Sequence, residues 1–430
     1  MNRNILILLI LYLPLLASDH RHSQSALERH TMLLEYFQEE HPTENWWDRK
    51  YFFGDTHLRH QLAHYGITIA SSYVTNLLGN PVGGKEQDFA YDGSFGISAN
   101  IDFTHAGLTG FNLYSAMAWR TGDNLSREID NQFTVSQIYG SETVRLAQLY
   151  IWQTLFCKRL TFKLGRLCAG DDFLSSPLYW QFVNNAFDGN PVSIFFNIPF
   201  SAYPGATWGA YVEGLPWDWL LIKAGVFNAN TEIQKNKYHG VNFTFKSTNG
   251  VVWITEWCVR VNPHCNDDGL PGNYKVGFYY LTGSRDQFSG NSERGDPGLY
   301  VLLDQTIYQP DCCRSLTPFI SFLWQPENRN LFPYFINGGL VYRGPFESRP
   351  KDVAAFGVVW GRYSPDLDRV QRKNHIEPQI AEIVLELNYS IQLNQWMYVM
   401  PDMQYIIHPK GRDRYPNAWV LGAQISIDAW

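Results

Sequence analysis

From about Asp55 onward the chain breaks into segments of eight to twelve residues in which apolar and polar side chains alternate, separated by clusters of Gly, Asn, Asp and Pro. A period of two sends successive side chains to opposite faces of a strand, so the chain is read as predominantly β. In 382–389, Ile383, Leu385, Leu387 and Tyr389 share one face, and Glu382, Val384, Glu386 and Asn388 the other. In 251–260, Val251, Trp253, Trp257 and Val259 oppose Glu256, Cys258 and Arg260. Phe95, Ile97, Ala99, Ile101 and Phe103 likewise oppose Ser98, Asn100 and Asp102, and Val241, Phe243 and Phe245 oppose Asn242, Thr244 and Lys246. Alternation alone does not say which face is inside, because a water-soluble sandwich alternates too, with the apolar face inward.

The amino terminus favours the membrane version. Arg3 precedes a 12-residue apolar run, Ile5 to Leu16, and Ala17 and Ser18 stand before the polar stretch Asp19 to His22. That is the pattern of a cleaved secretory signal peptide, expected over 1–18, and the run is too short for a comfortable membrane anchor. No stretch has the roughly 18 apolar residues of a spanning helix. Aromatic residues make up 16% of the chain and gather near strand ends, and the last strand, Val420 to Trp430, ends on an indole. Such rings suit the interfacial girdles of a membrane barrel.

The expected fold class is therefore all-β, a transmembrane antiparallel barrel. Residues 56–430 number 375. Sixteen strands would give each strand and its connection about 23 residues, enough for spanning strands of roughly 9–11 residues plus loops. Closure pairs every backbone group within lipid, and a barrel of this size leaves an aqueous channel. Before it, residues 19–55 form an N-terminal periplasmic segment with a short amphipathic helix in 25–41; a weak second helix is expected around Thr56 to His64.

The net charge of −7 gives no electrostatic reason to expect nucleic acid. Six cysteines, Cys157, Cys168, Cys258, Cys265, Cys312 and Cys313, stand in an exported chain. They permit three bridges among 15 pairings and dictate none, leaving open disulfide links to envelope partners. No cofactor or metal is expected. His57, His60 and His64 share a helix face without a carboxylate or thiol in a known ligand spacing. Adjacent Asp171 and Asp172 would point apart, a poor acid–base pair, and no nucleophile elbow occurs. No enzyme is expected.

Several motifs carry a resemblance. Lys163-Leu164-Gly165-Arg166-Leu167 runs into Gly170-Asp171-Asp172-Phe173 and then Asn184 to Pro191; Pro204 to Gly209, Lys223 to Asn230 and Pro401 to Pro409 follow. In this order and spacing they resemble the carbohydrate-selective porin family, OprB, and the likeness spans most of the chain beyond Asp55. The resemblance implies a 16-stranded outer-membrane barrel through which small solutes diffuse passively. Within the family the chain looks most like an arginine porin, which implies L-arginine uptake for an arginine/agmatine exchange system; a sugar pore is the first alternative and a disulfide-linked structural envelope protein the second.

The faces assigned above place carboxylates in the lumen at Asp102, Glu213, Glu256, Asp304, Glu382, Glu386 and Asp402, and cations at Lys163, Lys223, Lys246, Arg260 and Lys275. A carboxylate-lined constriction would attract a guanidinium and pair with it bidentately. Tyr150, Trp152, Tyr211 and Tyr279 could serve a sugar instead. The stretch Gly170 to Pro204 is the candidate constriction loop.

Overall fold

A computed structural model describes residue 47 and residues 49–187, 189–264 and 267–430. The signal peptide, the amphipathic helix expected within 25–41 and Cys265 lie outside the described residues. Sixteen antiparallel strands form one closed barrel. In chain order they are β1 (Ile67–Val82), β2 (Phe89–Asp102), β3 (Phe111–Gly122) and β4 (Thr143–Leu155). Then come β5 (Leu160–Leu167), β6 (Thr207–Trp217), β7 (Leu220–Asn228) and β8 (Val251–Val261). They are followed by β9 (Gly272–Asp286), β10 (Ser292–Gln305), β11 (Ser315–Trp324) and β12 (Tyr334–Arg343). The last four are β13 (Val353–Arg362), β14 (Ala381–Gln392), β15 (Met397–Ile407) and β16 (Ala418–Asp428). Each strand pairs with its neighbour in sequence, and β1 closes on β16 with Tyr73 opposite Ile427.

The apolar face of the alternation is outside. On β8, Trp253 and Trp257 are 56% and 49% exposed, whereas Glu256 between them is 1% exposed. A greasy exterior is what lipid requires, and closure leaves no unpaired edge inside it. Trp217 and Trp219 stack at 5.6 Å beside the β6–β7 turn, at the interfacial height where amphipathic rings settle. The helix around Thr56 is present as α1 (His57–His64), with the Thr56 hydroxyl accepting from the Arg59 N–H.

One expected strand is absent. Residues 241–247 carry the alternation but form no ladder, because they cross the tops of β5, β6 and β7 instead of extending a strand. Lys246 is consequently an exposed loop residue outside the lumen.

The connections are long at one end of the barrel and short at the other. In outer-membrane barrels the long loops face outward and the short turns face the periplasm. Two long connections, 123–142 and 168–206, fold back into the barrel and fill much of its interior with apolar side chains. Phe133, Phe173, Phe182 and Phe187 are fully buried there against inward residues such as Phe335, Val359 and Val384. Phe182 and Phe187 stack at 4.2 Å. The wall makes room with glycine: a Cβ on Gly357 would collide with the rings of Phe187 and Phe182, and one on Gly361 with Phe133. The broad wet bore expected of sixteen strands is thus narrowed, since the loops bring their own hydrophobic core into it.

Candidate functional site: the cavity beside the inserted loop

An off-centre cavity of about 400 Å³ lies between the inserted loops and the wall formed by β1–β4, β15 and β16. The wall side mixes small polar and apolar residues, with Ala70 and Val74 beside the serines. Alternation turns Ser72 of β1 and Ser94, Gly96 and Ser98 of β2 inward, and Ala116 and Arg120 of β3 continue that surface. The loop side is aromatic: Trp180 and Tyr203 face the cavity together with Asn190 and Asp171. Tyr203 reaches towards the wall so closely that a Cβ on Gly96 would lie 3.3 Å from its hydroxyl. Burial pushes that hydroxyl up to about 12, so it stays protonated and can donate. The Arg120 guanidinium lies 5.9 Å from the Tyr203 ring centre and donates to the Tyr139 carbonyl at 3.3 Å.

Amide side chains complete the lining. Gln148 of β4 donates to Asp171. Tyr398 donates to Gln424 at 2.9 Å, Gln424 to Asn76 at 3.0 Å, and Asn76 to Ser136 on the inserted loop at 2.8 Å. Among the described residues, Arg120 and Asp171 are the only charged side chains that line this cavity.

Of the seven lumen carboxylates named from the alternation, three are taken up by the inserted loops. Glu386 accepts the N–H groups of Val183 at 2.6 Å and Asn184 at 3.1 Å. Glu382 accepts those of Gln132 at 2.8 Å and Phe133 at 2.7 Å, and of Lys410. Glu256 accepts the Leu174 N–H at 3.1 Å and the Tyr300 hydroxyl at 2.9 Å. Glu213 accepts the Tyr211 hydroxyl at 2.6 Å, and Asp402 accepts Gln404 at 2.8 Å. All five are buried. A buried carboxylate needs donors, and backbone N–H groups of an irregular loop need acceptors, so at Glu256, Glu382 and Glu386 each satisfies the other.

The cations behave alike. Lys163 pairs with Asp172 at 2.6 Å, while Lys223 donates to the Asp172 carbonyl at 2.8 Å and lies 3.5 Å from Glu256. Lys275 donates to the Ser175 carbonyl at 2.7 Å. Asp102 and Arg260 sit at the short-turn ends of their strands, Asp102 capping a turn through Thr104 at 2.8 Å. Asp304 accepts Asn273 at 2.8 Å. Tyr150 is buried beside Tyr114 with ring centres 5.0 Å apart, and Trp152 donates to Asn100 at 3.3 Å. Tyr211 and Tyr279 are buried. None of the carboxylates, cations and aromatic residues named from the alternation lines the cavity itself.

Asp171 and Asp172 do point apart, one to the cavity and one to Lys163. On α1, His60 meets Asp55 at 2.8 Å and His57 meets Gln61 at 3.0 Å. Among the described residues no cluster of three or more His, Cys, Asp and Glu side chains could hold a metal ion. The described cysteines are free thiols: Cys157, Cys312 and Cys313 are exposed on short turns, and Cys168 and Cys258 are buried.

Arg120, Trp180, Tyr203, Gln148 and Gln424 were not singled out by sequence. Trp180 and Tyr203 lie within the stretch 170–204 nominated for the constriction, and the small inward residues of β2 were legible in its alternation. Nothing in the sequence indicated which part of the wall the loops would leave uncovered.

Comparison with known proteins agrees with this architecture. The family described as "Carbohydrate-selective porin, OprB family" matches residues 86–428. Porin B of Pseudomonas aeruginosa is 27% identical over 407 residues, covering 85% of this chain and 88% of that protein. A putative porin, QuiX, of Acinetobacter baylyi is 26% identical over 424 residues, covering 89% and 93%. The high-pH structure of Pseudomonas putida OprB superposes with a TM-score of 0.83 at 27% identity, covering 90% of this chain and all of that one. Fold, lipid-facing exterior and family together make the protein a passive diffusion channel of the outer membrane, and the chain belongs to the OprB family of carbohydrate-selective porins.

Proposed function

We propose that the cavity beside the loop passes small carbohydrates by passive diffusion. The observation that supports this most is the lining: Trp180 and Tyr203 face a wall of Ser72, Ser94 and Ser98, with amides between. Sugar rings present apolar C–H faces that rest on aromatic rings and a rim of hydroxyls that exchange hydrogen bonds with amides and hydroxyls. The family description points the same way. The acidic lining that would favour a guanidinium is weakened because Glu256, Glu382 and Glu386 serve the loops.

L-arginine is the second reading, and one observation favours it. The cavity carries one cation and one carboxylate, Arg120 and Asp171, which could receive the α-carboxylate and the guanidinium of one molecule. Role in an arginine/agmatine exchange would follow from that selectivity.

Liposome swelling separates the two. Purified, reduced protein reconstituted in vesicles is expected to admit glucose faster than arginine, lysine or agmatine. Arginine flux above glucose flux would overturn the carbohydrate reading in favour of the second.

A further inference from the structure

The barrel wall has a notch. β4 pairs with β5 only from Leu149, opposite Arg166, so residues 143–148 stand above the end of β5 with no strand on that side. The β7–β8 connection fills the gap. The Leu146 N–H donates to the His239 carbonyl at 2.9 Å, and the His239 ring bonds the Val144 carbonyl at 2.7 Å. From there the segment crosses to β7, where Asn228 donates to the Lys246 carbonyl at 2.8 Å.

This segment is not a strand, yet the wall serves five of its carbonyls, those of His239, Gly240, Asn242, Phe243 and Lys246. The buried Arg166 guanidinium donates to Gly240 and, at 3.3 Å, to Asn242. The Trp208 indole donates to Phe243 at 3.2 Å. A loop in water needs no such service, whereas irregular backbone near hydrocarbon does. Val241, Phe243 and Phe245 are 63%, 44% and 65% exposed. They continue the lipid-facing surface on both flanks: Val144, 48% exposed, neighbours His239, and the rings of Phe243 and Trp208 lie 6.2 Å apart.

We propose that residues 238–246 form a membrane-seated strap, which seals the notch above β5 and sets Val241, Phe243 and Phe245 into the outer leaflet. Lipid is the occupant because the strap is continuous with the lipid-facing wall and ends on exposed Lys246, next to Phe245, the aromatic-plus-lysine pairing of membrane interfaces. Arg166 is the residue that positions it.

The test is photocross-linking in the full-length protein reconstituted in phosphatidylethanolamine and phosphatidylglycerol vesicles. Benzoylphenylalanine is placed in turn at Phe243, Phe245, lipid-facing Trp253 and exposed loop residue Thr248. Lipid adducts at 243 and 245 are expected at the yield of 253, with none at 248, and Arg166→Gln should lower the yield at 243 towards that of 248. Yields at 243 and 245 no higher than at 248 would overturn the proposal, as would a covalent dimer in place of lipid adducts. Should Arg166→Gln fail to fold, the parent protein's adducts decide.

Discussion

Glu386 on β14 accepts the N–H of Val183, 203 residues away in sequence, at 2.6 Å, and the adjacent Asn184 N–H at 3.1 Å. One strand carboxylate thereby fixes the midpoint of the loop that shapes the pore. Glu256 does the same for Leu174, and Glu382 for Gln132 and Phe133. Three of the carboxylates inside this barrel thus hold its own loops.

Removing an anchor should loosen the loop without opening the barrel. Glu386→Ala strands two buried N–H groups, at about 1–3 kcal/mol each. Single-channel recordings are expected to show larger and noisier conductance, with a lower unfolding temperature in detergent. Glu386→Gln keeps one acceptor and should fall between. Unchanged conductance in Glu386→Ala would mean that Glu386 does not hold the loop.

Gly357 tests the packing side of the same device. Gly357→Ala puts a methyl group into Phe187 and Phe182, an overpacking cost of about 1–3 kcal/mol. The loop is expected to shift, altering conductance and lowering thermal stability. Gly214→Ala, where a Cβ meets nothing, is the matched control and should change neither. Equal behaviour of the two would argue against the tight loop–wall contact.

Selectivity should depend on the cavity lining. Trp180→Ala and Tyr203→Ala are expected to reduce the preference for glucose over a similarly sized neutral amino acid in liposome swelling. Asp171→Asn should leave glucose flux nearly unchanged. A large fall in arginine flux in Asp171→Asn, with glucose unaffected, would support the arginine reading instead.

Acid stability should draw on Asp352, in the turn before β13. Burial by itself raises its carboxyl, but Arg349, the Tyr389 hydroxyl at 2.8 Å and the Gln392 N–H at 3.0 Å outweigh this and hold it below its usual value. A depressed folded-state value contributes stability above the unfolded value, near about pH 4, which is lost as pH falls through the folded value. Thermal scans in detergent should therefore show that Asp352→Asn is destabilised at neutral pH. The gap to the parent should close below about pH 4. A gap that persists in acid would exclude this origin.

The thiols give a fifth test. Cys157, Cys312 and Cys313 should react quickly with a maleimide in the folded protein, and Cys168 and Cys258 only after unfolding. Reductant-sensitive oligomers on gels would link the exposed thiols to envelope partners, and their absence in an oxidised preparation would remove that reading.

Local sequence determined the barrel and the two faces of its wall. A period of two is a property of neighbouring residues, and lipid outside selects which face is apolar, so Glu256 inward and Trp257 outward were legible on β8. The same local pattern misled at Val241 to Lys246, where alternation serves a segment that crosses strand ends. What stands opposite a side chain across the barrel is a different matter. Sequence marked Glu382 and Glu386 as lumen charges, but it contained no sign that loop N–H groups 249 and 203 residues away would claim them. Nor did it show that Arg120 and Tyr203 would meet at the open side. Those pairings arise only when the ring closes and two loops fold inward, because burial and donor supply are then set by residues far apart along the chain.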